Sequence, residues 1–301
     1  MKSNQQKQLI VIAGPTAVGK TELTIRLAEK LKTVIISADS RQVFRGLSIG
    51  TAKPSVTELA RVKHYFIDSH SVEDTFSAGD FERASLELLD KLFEQYDQVL
   101  MTGGSGLYIK AVCEGLDDLP TPAPGVRENL MARLESEGLP QLQKEVVQVD
   151  PVFAATSEFK NAQRVLRALE VYLSTGNAIS TYQLKNTVNR PFAMKLIALE
   201  RPREELYDRI NMRMDQMLQN GLIEEVRSVA HFRNCQALQT VGYKEVLSFL
   251  DGEIDNEEMV RLLKRNSRRY AKRQMTWFRH QGEFAWFHPD NHDEILAFIK
   301  Q

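Results

Sequence analysis

The sequence predicts an α/β protein: a parallel-sheet core of the P-loop NTPase-like kind, interrupted by a helical insertion domain and continued by a helical C-terminal region. Three observations carry this. An apolar run at 9–13 leads into Gly14-Pro15-Thr16-Ala17-Val18-Gly19-Lys20-Thr21, a phosphate-binding loop, and then into a helical pattern at 22–31. Short β-rich runs at 9–13, 34–37, 65–68 and 99–102 alternate with helical segments, as crossover-connected parallel strands require. A proline-rich stretch at 115–124 then breaks the alternation.

Taken in order, the helix at 79–96 rests on Phe81, Ala84, Leu88 and Leu92, which recur at helical spacing. Helical segments follow the proline-rich stretch up to about residue 175, and a β-like run resumes at 194–199. From Arg203 the chain reads as helix almost throughout, ending in one long segment at 257–280. The expected division is a core, 1–116 and 191–301, and an insertion, 117–190.

The loop needs its residue types. Gly14 and Gly19 let the backbone turn so that successive N–H groups and a helix N-terminus point at phosphate oxygens. Lys20 adds a point charge, and the Thr21 hydroxyl is placed to hold a Mg²⁺ that bridges phosphates. The loop does not say which polyphosphate it binds.

Composition narrows the class. With 301 residues, 43% of them hydrophobic, the chain has ample material for a packed core. A formal net charge of −1 means that any nucleic-acid surface must be local. Cys113 and Cys235, the only cysteines, lack ligand or disulfide-framework spacing, and His64, His70, His231 and His280 show no ligand spacing either. A polar start and the lack of any apolar stretch of membrane-spanning length predict a cytoplasmic protein with no membrane association.

Other residues have positions suited to chemistry. Asp39 follows the second strand, beside the phosphate loop, where open α/β sheets bind ligands; a helix cap and a magnesium ligand are its equal alternatives. Thr102-Gly103-Gly104-Ser105-Gly106-Leu107-Tyr108 follows the fourth strand and suits close backbone approach, although a structural turn is the commoner use of such glycines. Residues 261–279 hold eight Lys and Arg and no acid, at helical spacing and interleaved with Tyr270, Trp277 and Phe278, which favours nucleic acid over a solvated face. Arg164 with Arg167, and Arg209 with Arg213, share helix faces and either grip an anionic substrate or pair with acids such as Glu170.

The ordered set of motifs resembles one family over nearly the whole chain, the tRNA dimethylallyltransferases. The resemblance rests on the phosphate loop, on Ala38-Asp39-Ser40-Arg41-Gln42-Val43-Phe44-Arg45-Gly46 running into Ile49-Gly50-Thr51-Ala52-Lys53-Pro54, and on Gly103-Gly104-Ser105-Gly106-Leu107-Tyr108-Ile109-Lys110. It continues through Asp150-Pro151, Gln163-Arg164-Val165-Leu166-Arg167-Ala168-Leu169-Glu170-Val171, Gly221-Leu222-Ile223-Glu224-Glu225-Val226, Val241-Gly242-Tyr243-Lys244-Glu245 and Ala271-Lys272-Arg273-Gln274-Met275-Thr276-Trp277-Phe278-Arg279. Phe44 stands where the family usually has Tyr, and Ser105 where it usually has Thr.

The resemblance implies a prenyltransferase. It moves the dimethylallyl group from dimethylallyl diphosphate to the exocyclic N6 of the adenosine on the 3′ side of the tRNA anticodon, and releases pyrophosphate. Asp39 takes the amine proton, while Lys20 and a Mg²⁺ on Thr21 stabilise the leaving group. The diphosphate is expected on Gly14, Pro15, Thr16, Ala17, Val18, Gly19, Lys20 and Thr21, with Arg213 as a second clamp. The family's contacts to the anticodon stem-loop map onto Asp39, Ser40, Arg41, Gln42, Ser105, Arg127, Gln163, Arg164, Val165, Leu166 and Arg167. They continue onto Gln239, Thr240, Val241, Gly242, Tyr243, Lys244, Lys272, Arg273, Gln274, Met275, Thr276, Trp277, Phe278 and Arg279. The insertion is expected against the anticodon stem, and the protein as a monomer. A small-molecule P-loop kinase, an adenylate isopentenyltransferase acting on free nucleotide and a non-catalytic RNA-binding protein are the rival readings.

Overall fold

A computed structural model describes residues 6–183 and 188–301. Residues 184–187 of the expected insertion lie outside the described residues. The sheet consists of β1 (Gln8–Ala13), β2 (Ile35–Ser37), β3 (His64–Tyr65), β4 (Gln98–Gly103), β5 (Ala193–Leu199) and β6 (Ala285–Phe287), in the order β3-β2-β4-β1-β5-β6. Every pairing is parallel. β1 is central, between β4 and β5, and Leu9, Ile10, Val11, Ile12 and Ala13 are fully buried, which is why its sequence is an unbroken apolar run rather than an alternating one.

The first helices are α1 (Lys20–Leu31), α2 (Val56–Arg61), α3 (Ala78–Phe93) and α4 (Gly106–Glu114). They are followed by α5 (Val126–Glu137), α6 (Leu139–Val149), α7 (Pro151–Ala154) and α8 (Ala162–Thr175). The last third holds α9 (Arg203–Gln219), α10 (Leu222–Val229), α11 (Tyr243–Leu250), α12 (Asn256–His280) and α13 (His292–Lys300). Local signals set several boundaries. Ser77 and Asp80 form a capping box at the start of α3, and the Asp255 side chain accepts from the Glu258 N–H at the start of α12. Along α12, Met259, Leu263, Ser267, Ala271, Gln274 and Phe278 form one buried stripe, leaving its cations to the remaining faces.

The chain separates into two compact units, Met1–Glu114 with Asn189–Gln301, and Gly115–Val188. The first contains the sheet. The second is a helical unit whose core includes Leu130, Leu142, Val146, Phe153, Val165, Leu166 and Leu169. Its Asp150 is structural: one carboxylate oxygen accepts from the Phe153 N–H at 2.9 Å and the other from the Ser180 N–H at 2.9 Å.

Two expectations need correction. The third strand ends at Tyr65, not at residue 68, because Phe66 and Asp68 adopt positive φ of 61° and 50°, which ends an extended run. The carboxy-terminal region is not wholly helical, since Ala285, Trp286 and Phe287 form β6 beside β5. A strand of three residues is too short to display a period, and only its tertiary pairing defines it. Cys113 and Cys235 are free; burial pushes the Cys113 thiol up to about 12, so it is unreactive at neutral pH. No helix among the described residues is long and apolar enough to cross a membrane.

Candidate active site

The carboxyl ends of β1, β2 and β4 deliver the phosphate loop, Asp39 and the Gly103-Gly104 turn to one place. Within the sheet-bearing unit a cavity of about 520 Å³ opens there, within the usual range of small-ligand clefts. Its walls include Thr16, Lys20, Thr21, Asp39 and Arg41, the loop around Gly50, and the facing sides of α9 and α12.

Backbone contacts bring the loops this close. A Cβ on Gly103 would lie 2.0 Å from the Ala38 carbonyl oxygen, so only glycine lets β4 approach the chain leaving β2. The Ser105 hydroxyl accepts from the Ser40 N–H at 2.9 Å and joins the same two segments. Gln274, on α12, accepts from the Thr16 N–H at 2.9 Å and donates to the Gly104 carbonyl at 2.9 Å, fastening the phosphate loop to the glycine turn. Behind the loop, the Arg201 guanidinium donates to the Val18 carbonyl at 2.8 Å.

Three further cations converge on the loop. Lys20 donates to the Gly14 and Pro15 carbonyls at 2.9 and 2.7 Å, so its ammonium lies across the loop it belongs to. Burial, followed by the nearby Arg213, pulls its pKa down to about 7, against the attraction of Asp39. Arg209 donates to the Ala17 carbonyl at 2.8 Å. Arg213, one helical turn further along α9, has a buried Nε with no hydrogen-bond partner among the described residues; burial lowers its pKa, Asp39 opposes that shift and Arg209 adds to it. A half-buried guanidinium whose Nε lacks a partner, beside a half-buried ammonium, is unfavourable in an empty site and favourable around a polyanion.

Asp39 caps a turn rather than a helix. Oδ1 accepts from the Arg41 N–H at 2.9 Å and the Gln42 N–H at 3.3 Å, closing a turn, while Oδ2 makes no hydrogen bond among the described residues. The carboxylate is thus oriented by one oxygen and available through the other. Tyr270, read from the sequence only as an aromatic within the basic stripe, is also a residue of this cavity. It lines the cavity and is about one-third exposed.

The face of α9 changes character along its length. Arg209 and Arg213 are followed on the same side by Met217, with Ile210 and Met214 beside them, and all five line the cavity. Four residues of helix rise about 6 Å, so a cationic end passes into a thioether-lined end over one turn.

The residues expected to contact RNA differ in how far the fold exposes their side chains. Val165, Leu166 and Tyr243 are fully buried, Phe278 is 1% exposed, and Gln274 is spent on the two loops, so these side chains serve packing and scaffolding. The Gln42 amide is also engaged, donating to the Thr51 and Ala52 carbonyls at 3.2 Å each. In the helical unit, Arg127 and Arg167 both pair with buried Glu170, at 2.5 and 3.2 Å, and Arg127 also donates to Gln163. Arg164, Gln239, Lys244, Lys272, Arg273, Thr276 and Arg279 are exposed, whereas Ser40, Arg41, Thr240, Val241, Met275 and Trp277 are half-buried. Gly242 is buried, with φ of 100°. Phe44 is 1% exposed within the apolar core, so the missing hydroxyl leaves nothing unsatisfied.

Comparison with known proteins agrees with this geometry. The profile of the IPP transferase family matches residues 42–281. A tRNA dimethylallyltransferase of Cytophaga hutchinsonii is 52% identical over 98% of this chain and 97% of its own length. One from Bacteroides fragilis is 46% identical, over 98% of each chain. The crystal structure of the tRNA isopentenylpyrophosphate transferase from Bacillus halodurans is 38% identical and superposes with a TM-score of 0.71, covering 98% of this chain and 97% of that one. A parallel-sheet core, a matching family profile and identity of this level over nearly full length lead to one statement: the chain belongs to the IPP transferase family of tRNA-modifying prenyltransferases.

Proposed function

We propose that the chain transfers a dimethylallyl group from dimethylallyl diphosphate to the exocyclic N6 of the adenosine on the 3′ side of a tRNA anticodon. The observation that supports this best is the half-used carboxylate of Asp39 facing a cavity in which Lys20, Arg209 and Arg213 converge, none of the three held in an ion pair among the described residues. A base stands beside a polyanion cradle.

In this reading the diphosphate occupies residues 14–21, with Arg213 on its open side, and the alkyl tail runs along α9 towards Met214 and Met217. The bond from allylic carbon C1 to the diphosphate oxygen breaks, and the bond from C1 to N6 forms. The amine proton passes to Asp39 Oδ2, and pyrophosphate leaves with the bonding pair. Charge grows on the leaving oxygens, and in this reading the loop N–H groups, Arg213 and Lys20, turned from the Gly14 and Pro15 carbonyls it holds in the empty site, stabilise it. The N6 lone pair is delocalised into the purine, which is why removal of its proton is coupled to attack.

A divalent cation fits the residues present. No cluster of three or more His, Cys, Asp or Glu suited to a metal occurs among the described residues, but the Thr21 hydroxyl and the Asp39 carboxylate both line the cavity. A hard ion such as Mg²⁺ takes one or two protein oxygens and completes its shell with phosphate oxygens and water. When bound it would offset charge on the diphosphate; Thr21 is its proposed ligand.

The target base has to leave its stack to reach the cavity, at a cost of a few kcal/mol, about what protein–RNA contacts can offset. For those contacts we propose the exposed cations of α12, Lys272 and Arg273 foremost, with Arg41 at the cavity and Arg127, Gln163 and Arg164 on the helical unit. A kinase acting on a small molecule would share the phosphate loop but would have no use for that basic helix.

The test is Asp39→Asn, assayed by mass analysis of RNA nucleosides after incubation with dimethylallyl diphosphate and Mg²⁺. Turnover is expected to fall by about 10²–10⁴-fold, the usual range for losing a positioned base, with affinity for the anticodon stem-loop within about twofold of wild type. Equal loss of both would contradict Asp39 as the base.

A further inference from the structure

Glu225 lies on α10, outside every role assigned so far, and its carboxylate is saturated. One oxygen accepts from the Ser48 N–H at 2.9 Å and the Ile49 N–H at 2.7 Å, while the other accepts from the Gly50 N–H at 2.9 Å and the Tyr243 hydroxyl at 2.6 Å. The same loop is fixed by shape as well, because a Cβ on Gly50 would come within 2.6 Å of the Tyr243 ring. Burial and the facing carboxylate raise the Tyr243 pKa, so its hydroxyl remains a donor at any working pH.

The loop held by Glu225 continues into Thr51 and Ala52, whose carbonyls both accept from the Gln42 side-chain amide. The other end of that amide accepts from the Ser37 hydroxyl at 3.1 Å, and the Gln42 backbone N–H donates to Asp39 Oδ1. An unbroken run of hydrogen bonds and covalent chain thus leads from α10, through the cavity wall, to the carboxylate proposed as base. We infer that Glu225 is a positioning residue for Asp39, acting through the 48–52 loop and Gln42.

The carboxylate is chemically required at this position. An amide offers one accepting oxygen, so in Glu225→Gln the NH₂ group faces either the Ser48 and Ile49 N–H pair or the Gly50 N–H, donor against donor. The loop then loses part of its fastening, and the carbonyls that orient Gln42 move with it. Turnover depends steeply on the placement of a base, whereas diphosphate affinity, set by residues 14–21 and α9, does not involve this run.

The inference rests on the proposed activity and is tested by a double-mutant cycle on the full chain. Transfer to an anticodon stem-loop is measured for wild type, Glu225→Gln, Gln42→Ala and the double variant, with rates referred to folded protein by thermal melting. Each single change is expected to lower kcat about tenfold, and the double change also about tenfold rather than a hundredfold, because residues acting through one path are not additive. Pyrophosphate affinity stays within about twofold. Multiplicative losses in kcat, or a wild-type kcat per folded molecule in Glu225→Gln, would overturn the inference. Tyr243→Phe, which keeps shape and removes one of the four bonds, provides the same cycle if Glu225→Gln does not fold. It is expected to lower kcat about threefold, again not additively with Gln42→Ala. A wild type that prenylates no RNA would refute the activity itself, a result distinct from an active wild type whose variants fail to couple.

Discussion

The molecule carries two sets of positive charge that its sequence makes look alike and its structure does not. Lys20, Arg209 and Arg213 meet at the phosphate loop, where carbonyl groups and Asp39 are their immediate partners and burial lowers the pKa of both Lys20 and Arg213. The cations of α12 are distributed on the outside of a helix, and part of them are neutralised: Arg261 by Glu258 at 2.6 Å, Lys264 by Asp215 at 2.7 Å and Arg279 by Glu200 at 3.2 Å. Arg265, Arg268, Arg269, Lys272 and Arg273 form no ion pair among the described residues, although Arg268 donates to Asn211 and Arg265 to Asn266. Desolvated charge costs folding free energy and is retained for one geometry of ligand; hydrated charge costs little and acts through salt-sensitive attraction.

Arg213→Met breaks this contrast most severely. It removes a half-buried cation whose buried Nε has no partner among the described residues, so the ligand-free variant is expected to melt at a higher temperature than wild type. The same change should weaken pyrophosphate about 10- to 100-fold, as befits the loss of a charge-assisted contact. Stability and affinity should therefore move in opposite directions, which calorimetry and melting curves at several pyrophosphate concentrations will measure. A lower Tm without ligand would mean that the attraction of Asp39 already compensates the burial of Arg213.

A pH titration sharpens the contrast next. In the empty site Lys20 titrates at about 7, and a bound diphosphate favours its ammonium form. Below pH 7 the lysine is charged with or without ligand, and this source of pH dependence vanishes. Above pH 7 the empty site has lost a proton that the complex retains, so binding takes one up and affinity falls by up to about tenfold per pH unit. Titration in buffers of different ionisation enthalpy counts that proton, and the difference between wild type and Lys20→Met cancels ionisation of the ligand. Equal proton uptake by the two proteins would show that Lys20 stays charged in the empty site.

The two sets also differ in how far they could be read from sequence. The phosphate loop was legible because its chemistry is local: eight consecutive residues, flanked by a strand and a helix, contain the turn, the donors and the charge. The basic stripe was legible as composition, but not which of its members are neutralised, since Asp215 and Glu200 come from α9 and the end of β5. Gln274 meets Thr16 across 258 residues, and Glu225 meets Ile49 across 176. No periodicity encodes such pairs; only the fold brings them together. Val165, Leu166, Tyr243 and Phe278 lie within motif segments yet are buried, because a motif marks a segment and burial then decides which of its side chains face outward.

The smallest expected effect separates members of the exposed set from one another. If α12 contacts RNA phosphates, log affinity for an anticodon stem-loop falls linearly with log salt, and each lost phosphate contact reduces the slope by about 0.7 for single-stranded RNA. Arg269→Gln and Arg273→Gln should each flatten the slope by about that amount, since neither arginine has an acid to release before it meets phosphate. Arg261→Gln should leave the slope nearly unchanged, because Glu258 holds that guanidinium by two bonds of 2.6 Å and neutralises it where it lies. Filter binding of the four proteins across a salt series measures all three differences. If Arg261→Gln flattened the slope as much as Arg273→Gln, the pairing along α12 would be irrelevant to RNA, and the whole stripe would act as an undifferentiated positive surface.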